Sequence, residues 1–296
     1  MIGRLPTAAV EVLESLYCHR LLTTVQVQQM HTPDATRRWT LRLLRALAGH
    51  ELIDVARGPR TIGVWFVTEQ GAEAVEQLPD RVESRRKLLT PAQAAGQLQA
   101  HTLAVNDVGI AYLGAARERG DEFGAFSWRH EIAHPIGAPA GRKAGEQLIV
   151  DALITYLETD GEQVTRHQRF LELDRGTLPV EALIDKLHRY QRLRTYAPEP
   201  PRGGERVEAW RSWYPAGLPD VQIVLAGKPR PQLERRLRLL LALYVAEAEL
   251  KDDRQLRVHV ALLEDLQTRG PFAKVWLRAE NPSRRVDWLA RPGGKS

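Results

Sequence analysis

Residues 148–174 restrict the fold more than any other stretch. LIVDALITYLE (148–158) and EQVTRHQRFLELD (162–174) alternate with a period of two and flank Thr159-Asp160-Gly161, a strong hairpin signal. Read with Asp160-Gly161 as a two-residue turn, Thr159 pairs with Glu162 and Asp151 stands opposite Phe170. Alternation then puts Phe170, Glu172 and Asp174 on one face and Leu171 and Leu173 on the other. Two carboxylates thus point the same way, roughly 6–7 Å apart along the strand. Asp151 becomes the diagonal neighbour of Glu172, at about 7–8 Å between backbones. It sits in a strand that is apolar on both faces, where an unpartnered carboxylate costs several kcal/mol or shifts its pKa until it is neutral.

The helix expected at 179–196 supplies a partner. Lys186 projects from the apolar arc of Leu183, Leu187, Tyr190 and Leu193, away from Asp185, His188, Arg189 and Arg192. Lysine is scarce, since 42 basic residues comprise only seven lysines and 35 arginines. An inward lysine needs an anion. Three acids and a lysine converging at one end of a sheet suit a hard cation, Mg²⁺ or Mn²⁺, held by Asp151 and Glu172. Asp174 would assist, and Lys186 would position the nucleophile or balance charge on a phosphate. The chemistry is metal-assisted cleavage of a phosphodiester. The alternative is a structural ion-pair cluster in a fold that only binds.

The rest of the chain bears on what that site would act on. A length of 296 residues favours two domains. Residues 6–50 read as three helices, with Thr23-Thr24 capping the second and HTPDATRR forming the turn before the third. On that third helix Arg38, Arg42 and Arg45, with Arg37 at its start, make a charged side opposite Leu43, Leu44 and Leu47. ELIDVA and TIGVWFV then alternate as two strands joined by the tip RGPR, which carries Arg57 and Arg60, and GAEAVEQL (71–78) adds a fourth helix. Three helices and a β-wing give the order of a winged helix-turn-helix over residues 1–80, with 81–96 as linker and an α/β domain over 97–296. Arg37, Arg38, Arg42, Arg45, Arg57 and Arg60 form its expected face toward double-stranded DNA, and winged helices often act as homodimers.

Composition excludes other classes. A lone Cys18 closes no intramolecular disulfide and leaves no thiolate cluster for structural zinc. MIGRLPTAAVEVLESLY lacks the marks of a signal peptide, and LLLALYVAEAEL (239–250) is too short and too acidic for a membrane span. The reading is a cytoplasmic chain with no membrane partner. A net charge of +5 is too small to imply nucleic acid by itself.

Residues 97–119 look helical and contain H-x-LAVND, beginning at His101; PVEALIDKLHRYQRLRTY (179–196) and PRPQLERRLRLLLALYVAEAEL read as helices, and DVQIVLAG, VHVALLEDL and KVWLRA as strands. Asp151 followed by Glu172-Leu173-Asp174, set between helices, is similar to the PD-(D/E)xK restriction-endonuclease-like core, over residues 97–227. That pattern has lysine where Asp174 stands, so the resemblance makes Lys186 a migrated lysine reaching in from the helix. The whole arrangement, a winged helix followed by H-x-LAVND, FLELDRGT and KLHRY, resembles the replication-relaxation family of bacterial plasmids and mobile elements. The resemblance implies a role in plasmid DNA processing, with plasmid replication or transfer proteins as partners.

One string competes. His130-Glu131-Ile132-Ala133-His134 spells H-E-x-x-H, the zinc-peptidase signature, which requires a helix. Pro135 follows directly and FGAFSW before it is β-like, so the segment reads as extended. Trp128, His130 and His134 then share one face, and Glu131 lies on the other, where it could support a nuclease-like site. Neither G-x-S-x-G nor G-x-x-x-x-G-K-[ST] occurs. Trp210, Trp213 and Tyr214, among Arg202, Arg206 and Arg211, either stack on unpaired bases or pin a loop to the core; the second reading is the commoner for such clusters.

Overall fold

The computed structural model describes residues 5–56, 63–78, 88–94, 96, 98–138, 145–200, 204–253 and 255–289. The chain divides into two compact units, Met1–Arg129 and His130–Ser296. The expected linker at 81–96 falls partly, and the wing tip with Arg57 and Arg60 wholly, outside the described residues.

The first unit runs α1 (Thr7–His19), β1 (Leu22–Thr23), α2 (Thr24–His31), α3 (Arg37–Gly49), β2 (Ile53–Ala56), β3 (Val64–Val67), α4 (Glu69–Glu76), α5 (Pro91–Ala94) and α6 (Leu98–Arg119). Three helices, an antiparallel strand pair and a fourth helix follow in the predicted order. The two-residue β1 completes a sheet of order β1-β3-β2. Local chemistry sets these boundaries. Thr23 and Gln26 form a capping box at 3.1 and 3.0 Å, so two backbone amides at the start of α2 are satisfied reciprocally. Thr36 accepts from the Trp39 amide at the start of α3, and Thr68 from the Gly71 amide at the start of α4. A side chain at Gly71 would place Cβ 1.9 Å from the Leu52 carbonyl oxygen, so only glycine lets α4 lie on that backbone. Helix α6 is bound into this unit by polar contacts. Gln26 donates to Asp107 at 2.7 Å, and Asn106 to the Leu21 carbonyl at 2.8 Å. Arg117 donates to the carbonyls of Gln29 and Met30, satisfying the C-terminal end of α2.

The second unit runs β4 (Trp128–Pro135), β5 (Gln147–Asp160), β6 (Gln163–Asp174), α7 (Glu181–Thr195), α8 (Trp210–Trp213), β7 (Asp220–Leu225), α9 (Arg230–Ala246), α10 (Ala248–Asp252), β8 (Val258–Leu262), α11 (Leu263–Arg269), β9 (Trp276–Arg278) and β10 (Asn281–Val286). Its seven strands lie in the order β10-β9-β8-β7-β6-β5-β4. β6, β7 and β8 are parallel and joined through α7 and α9, whereas β5–β6, β8–β9 and β9–β10 are antiparallel. The chain is therefore α/β with a mixed sheet, as predicted. Phe170, Val221, Ile223, Val258 and Val260 line one face of the sheet. Against it pack Leu187, Tyr190 and Leu193 of α7 and Leu237, Leu240 and Tyr244 of α9. No helix of the described residues is long and apolar enough to cross a membrane.

Two expectations change. The hairpin pairs Asp160 with Gln163 and Thr159 with Val164, so the turn is Gly161-Glu162, with Gly161 at φ +60°. The register slips by two residues, which keeps every side chain on its predicted face but brings Leu153 opposite Phe170. VHVALLEDL is a strand only to Leu262, and Leu263 opens α11.

Candidate functional site

The corrected register matters where β5 meets β6. The ladder is paired through Ala152 and Leu171, so its next step sets Asp151 beside Glu172 rather than diagonal to it. Asp151 Oδ2 accepts from the Leu173 amide at 2.8 Å, which ties that carboxylate to the partner strand. Its other oxygen lies 3.5 Å from Lys186 Nζ. Lys186 also donates to Glu172 Oε2, and the Tyr190 hydroxyl donates to Glu172 Oε1. Lys186 and Tyr190 lie four residues apart on α7, one turn along the same face. Two strands and one helix thus bring two carboxylates and one ammonium together, as the alternation and the helical arc predict.

Burial sets the electrostatics. Glu172 is 3% exposed. Burial pushes its carboxyl up, the charge of Asp151 pushes it further, and Lys186 and Tyr190 pull it back, leaving it at about 8. For Lys186 burial acts downward, but Glu172 and Asp151 outweigh it and the amine is raised above its ordinary value. Burial, then the charge of Glu172, holds the Tyr190 hydroxyl well above its usual range. Lys186 is therefore a fixed cation shared by the two acids. The sequence pattern marks Tyr190 only as part of the apolar arc; its place beside Lys186 on that arc is the signal that could identify it as a donor to the same acid.

Asp174 does not join this group. It lies on the same strand face, but its oxygens accept from the Arg236 guanidinium of α9 and from the Gly176 amide, the latter at 2.9 Å. Arg236 carries no sequence signal that sets it apart among the arginines of that helix. Glu131 is exposed on β4.

Two carboxylates are a donor type that a hard divalent cation takes; here their oxygens already accept from Lys186, Tyr190 and the Leu173 amide. Asp151 and Glu172 both present oxygens to the point where Lys186 Nζ places a positive charge, and Mg²⁺ characteristically takes one or two carboxylates and fills its remaining positions with water. Among the described residues no group of three or more His, Cys, Asp or Glu side chains is arranged to hold a metal. His130 and His134 meet the expectation of an extended segment. They lie on β4 with their side chains buried, and at four residues' separation the backbone positions are about 13 Å apart. His134 Nε2 instead bonds the Tyr214 hydroxyl at 2.7 Å. The helix that a zinc-peptidase motif needs is absent from this segment.

In the first unit α3 buries Thr40, Leu44 and Leu47 and leaves Arg37, Arg38, Arg42 and Arg45 exposed. Trp39 is exposed beside them, at 39%. Of the aromatic cluster, Tyr214 is buried and pins its segment to the core, as the commoner reading has it, whereas Trp213 is exposed.

A family model described as replication-relaxation matches residues 13–207, more than half of the chain. Comparison with curated proteins and with solved structures yields no match.

Proposed function

The chain belongs to the replication-relaxation family, and from that premise we propose that it processes plasmid or mobile-element DNA, gripping duplex with its first unit and cutting a phosphodiester with its second. In this reading α2 and α3 are a helix-turn-helix, β2 and β3 the flanks of a wing, and the exposed arginines of α3 meet phosphates. The second unit is a restriction-endonuclease-like domain. Asp151 and Glu172 would hold Mg²⁺ or Mn²⁺. The ion, when bound, supplies activated water and offsets phosphate charge. Lys186 holds the two carboxylates in place and sets a positive charge where a scissile phosphate would need it. Tyr190 fixes the Glu172 rotamer.

The observation that carries this reading is the sharing of one Lys186 amine by Asp151 and Glu172, two acids from neighbouring strands. Supercoiled plasmid incubated with Mg²⁺ or Mn²⁺ tests it. The wild type converts plasmid to open or linear forms. Asp151→Ala lowers that rate by on the order of 100-fold while still retarding duplex in a gel, and His130→Ala cuts normally. Cleavage that survives Asp151→Ala sinks the assignment.

A second reading has an observation of its own. Glu172 is already satisfied by Lys186 and Tyr190, and Asp174 by Arg236, as in a structural ion-pair network. In that case the protein is a silent binding factor, and the same experiment gives retarded but intact plasmid with either metal.

A further inference from the structure

The loops that leave the carboxyl ends of β6 and β7 run side by side. One is Asp174-Arg175-Gly176 and the other Ala226-Gly227-Lys228. The strands stay paired in parallel through Asp174 and Leu225, and the Ala226 amide donates to the Asp174 carbonyl at 2.8 Å. Gly176 and Gly227 have φ of +62° and +77°, a backbone that glycine adopts without penalty.

Each glycine lies against the cation of the other loop. A Cβ at Gly176 would stand 3.5 Å from Lys228 Cγ, 3.7 Å from Lys228 Cε and 3.6 Å from Arg236 Cδ, and a Cβ at Gly227 would stand 3.3 Å from Arg175 Nε. Arg175, Lys228 and Arg236 therefore gather over one pair of glycines, from two loops and from α9. Asp174 matches only one of them. Both of its oxygens accept from Arg236, and neither Arg175 nor Lys228 has an acid partner among the described residues. Arg175 is half-buried and Lys228 exposed. Cations held this close repel one another, and an anion that reaches both relieves the repulsion while accepting charge-assisted hydrogen bonds.

The position of the cluster identifies the anion. Asp174 lies two residues beyond Glu172 on the same strand face, roughly 6–7 Å along the strand. The cluster thus borders the acid site, where the side chains of Asp151 and Lys186 remain 19% and 23% exposed. A free phosphate would occupy only one of the two places. A phosphodiester chain spans both, with one phosphate at Lys186 and a neighbouring one at Arg175 and Lys228.

We propose that Arg175 and Lys228 anchor a backbone phosphate of the DNA strand beside the one at Asp151, Glu172 and Lys186, so that the second unit holds DNA independently of α3. The identity of the polymer rests on the reading of the acid site given above; the anchoring itself needs no cleavage.

Fluorescence anisotropy of a labelled duplex tests it in the full chain carrying Arg38→Ala, Arg42→Ala and Arg45→Ala, which removes the arginines of α3. In that background the added pair Arg175→Ala and Lys228→Ala is expected to weaken binding at low salt about tenfold. It should also flatten the plot of log affinity against log salt by about one unit, the share of one phosphate. Lys228→Arg keeps both values, and the charge-matched pair Arg166→Ala and Arg238→Ala, also exposed on the second unit, changes them little. Circular dichroism checks folding, and Lys228→Ala alone, at an exposed loop position, keeps the test open if the Arg175 variant does not fold. The proposal is overturned if the two pairs behave alike, if Lys228→Arg binds as weakly as Lys228→Ala, or if the background chain binds no duplex at low salt. Plasmid left intact by the wild type, with affinity still lost in the Arg175 and Lys228 pair, removes the cleavage reading and keeps the anchor. Normal cleavage with equal effects from both pairs does the reverse.

Discussion

Lys186 carries more of this molecule's chemistry than any other single side chain. It is one of seven lysines in a chain of 35 arginines, and two acids share its charge. Removing one member of a buried ion cluster leaves the others uncompensated, so Lys186→Met is expected to destabilise the second unit by roughly 3 kcal/mol. Adding Glu172→Gln, which removes the need to protonate the buried acid that has lost its cation, restores part of that loss. Urea unfolding of the single and double variants checks both, and a double variant weaker than the single one would mean that Glu172 is not held against Lys186. Asp151, Glu172 and Lys186 are legible in the sequence because strand alternation and the helical arc each assign a side chain to a face. Sequence places Asp151 and Glu172 too far apart, because Asp160-Gly161 and Gly161-Glu162 are both acceptable two-residue turns and local sequence does not choose between them. Asp174 stands apart from that cluster for a different reason. Its competitor Arg236 lies 62 residues away on a helix bearing several arginines, and no local pattern distinguishes the one that turns inward.

At the scale of elements, caps and periodicity account for most of what can be read. Thr23, Thr36 and Thr68 each stand one residue before a helix, and apolar spacing gives β5 to β7 their identities. β10 escapes such a reading because NPSRRV has no apolar alternation, and its pairing comes only from β9. Helix α6 is visible in the sequence, with its buried stripe of Val105, Val108, Tyr112, Leu113 and Ala116, but the long-range hydrogen bonds of Gln26, Asn106 and Arg117 that fix its attachment are not, since no local pattern encodes them. Its packing gives a sharp test. At Gly109 a Cβ would stand 2.4 Å from the Trp128 indole, a ring that is 1% exposed and cannot yield easily. Gly109→Ala should therefore cost about 1–3 kcal/mol. At Gly114, on the same helix, a Cβ would meet nothing within 4 Å, so alanine should be accepted there and gain up to about 1 kcal/mol. Thermal unfolding of the two variants reads opposite signs. Equal effects would show that α6 does not press on Trp128.

For the whole molecule the open question is whether DNA would respond to total charge or to its arrangement. A net +5 spread evenly over 296 residues attracts phosphate weakly, and any three arginines would then be equivalent. The first unit instead concentrates Arg37, Arg38, Arg42 and Arg45 on the exposed side of one helix, where, on the proposed reading, they would neutralise neighbouring phosphates together and release counterions. Replacing Arg38, Arg42 and Arg45 with alanine lowers the net charge from +5 to +2, and so does replacing the exposed Arg166, Arg235 and Arg238 of the second unit. Fluorescence anisotropy of a labelled duplex across a salt series separates the two cases. The α3 triple is expected to flatten the plot of log affinity against log salt by about 2–3 units, close to one unit for each phosphate no longer neutralised, and the second triple by less than about one. The same slope for both variants would mean that overall charge governs binding and that α3 is an ordinary solvated helix.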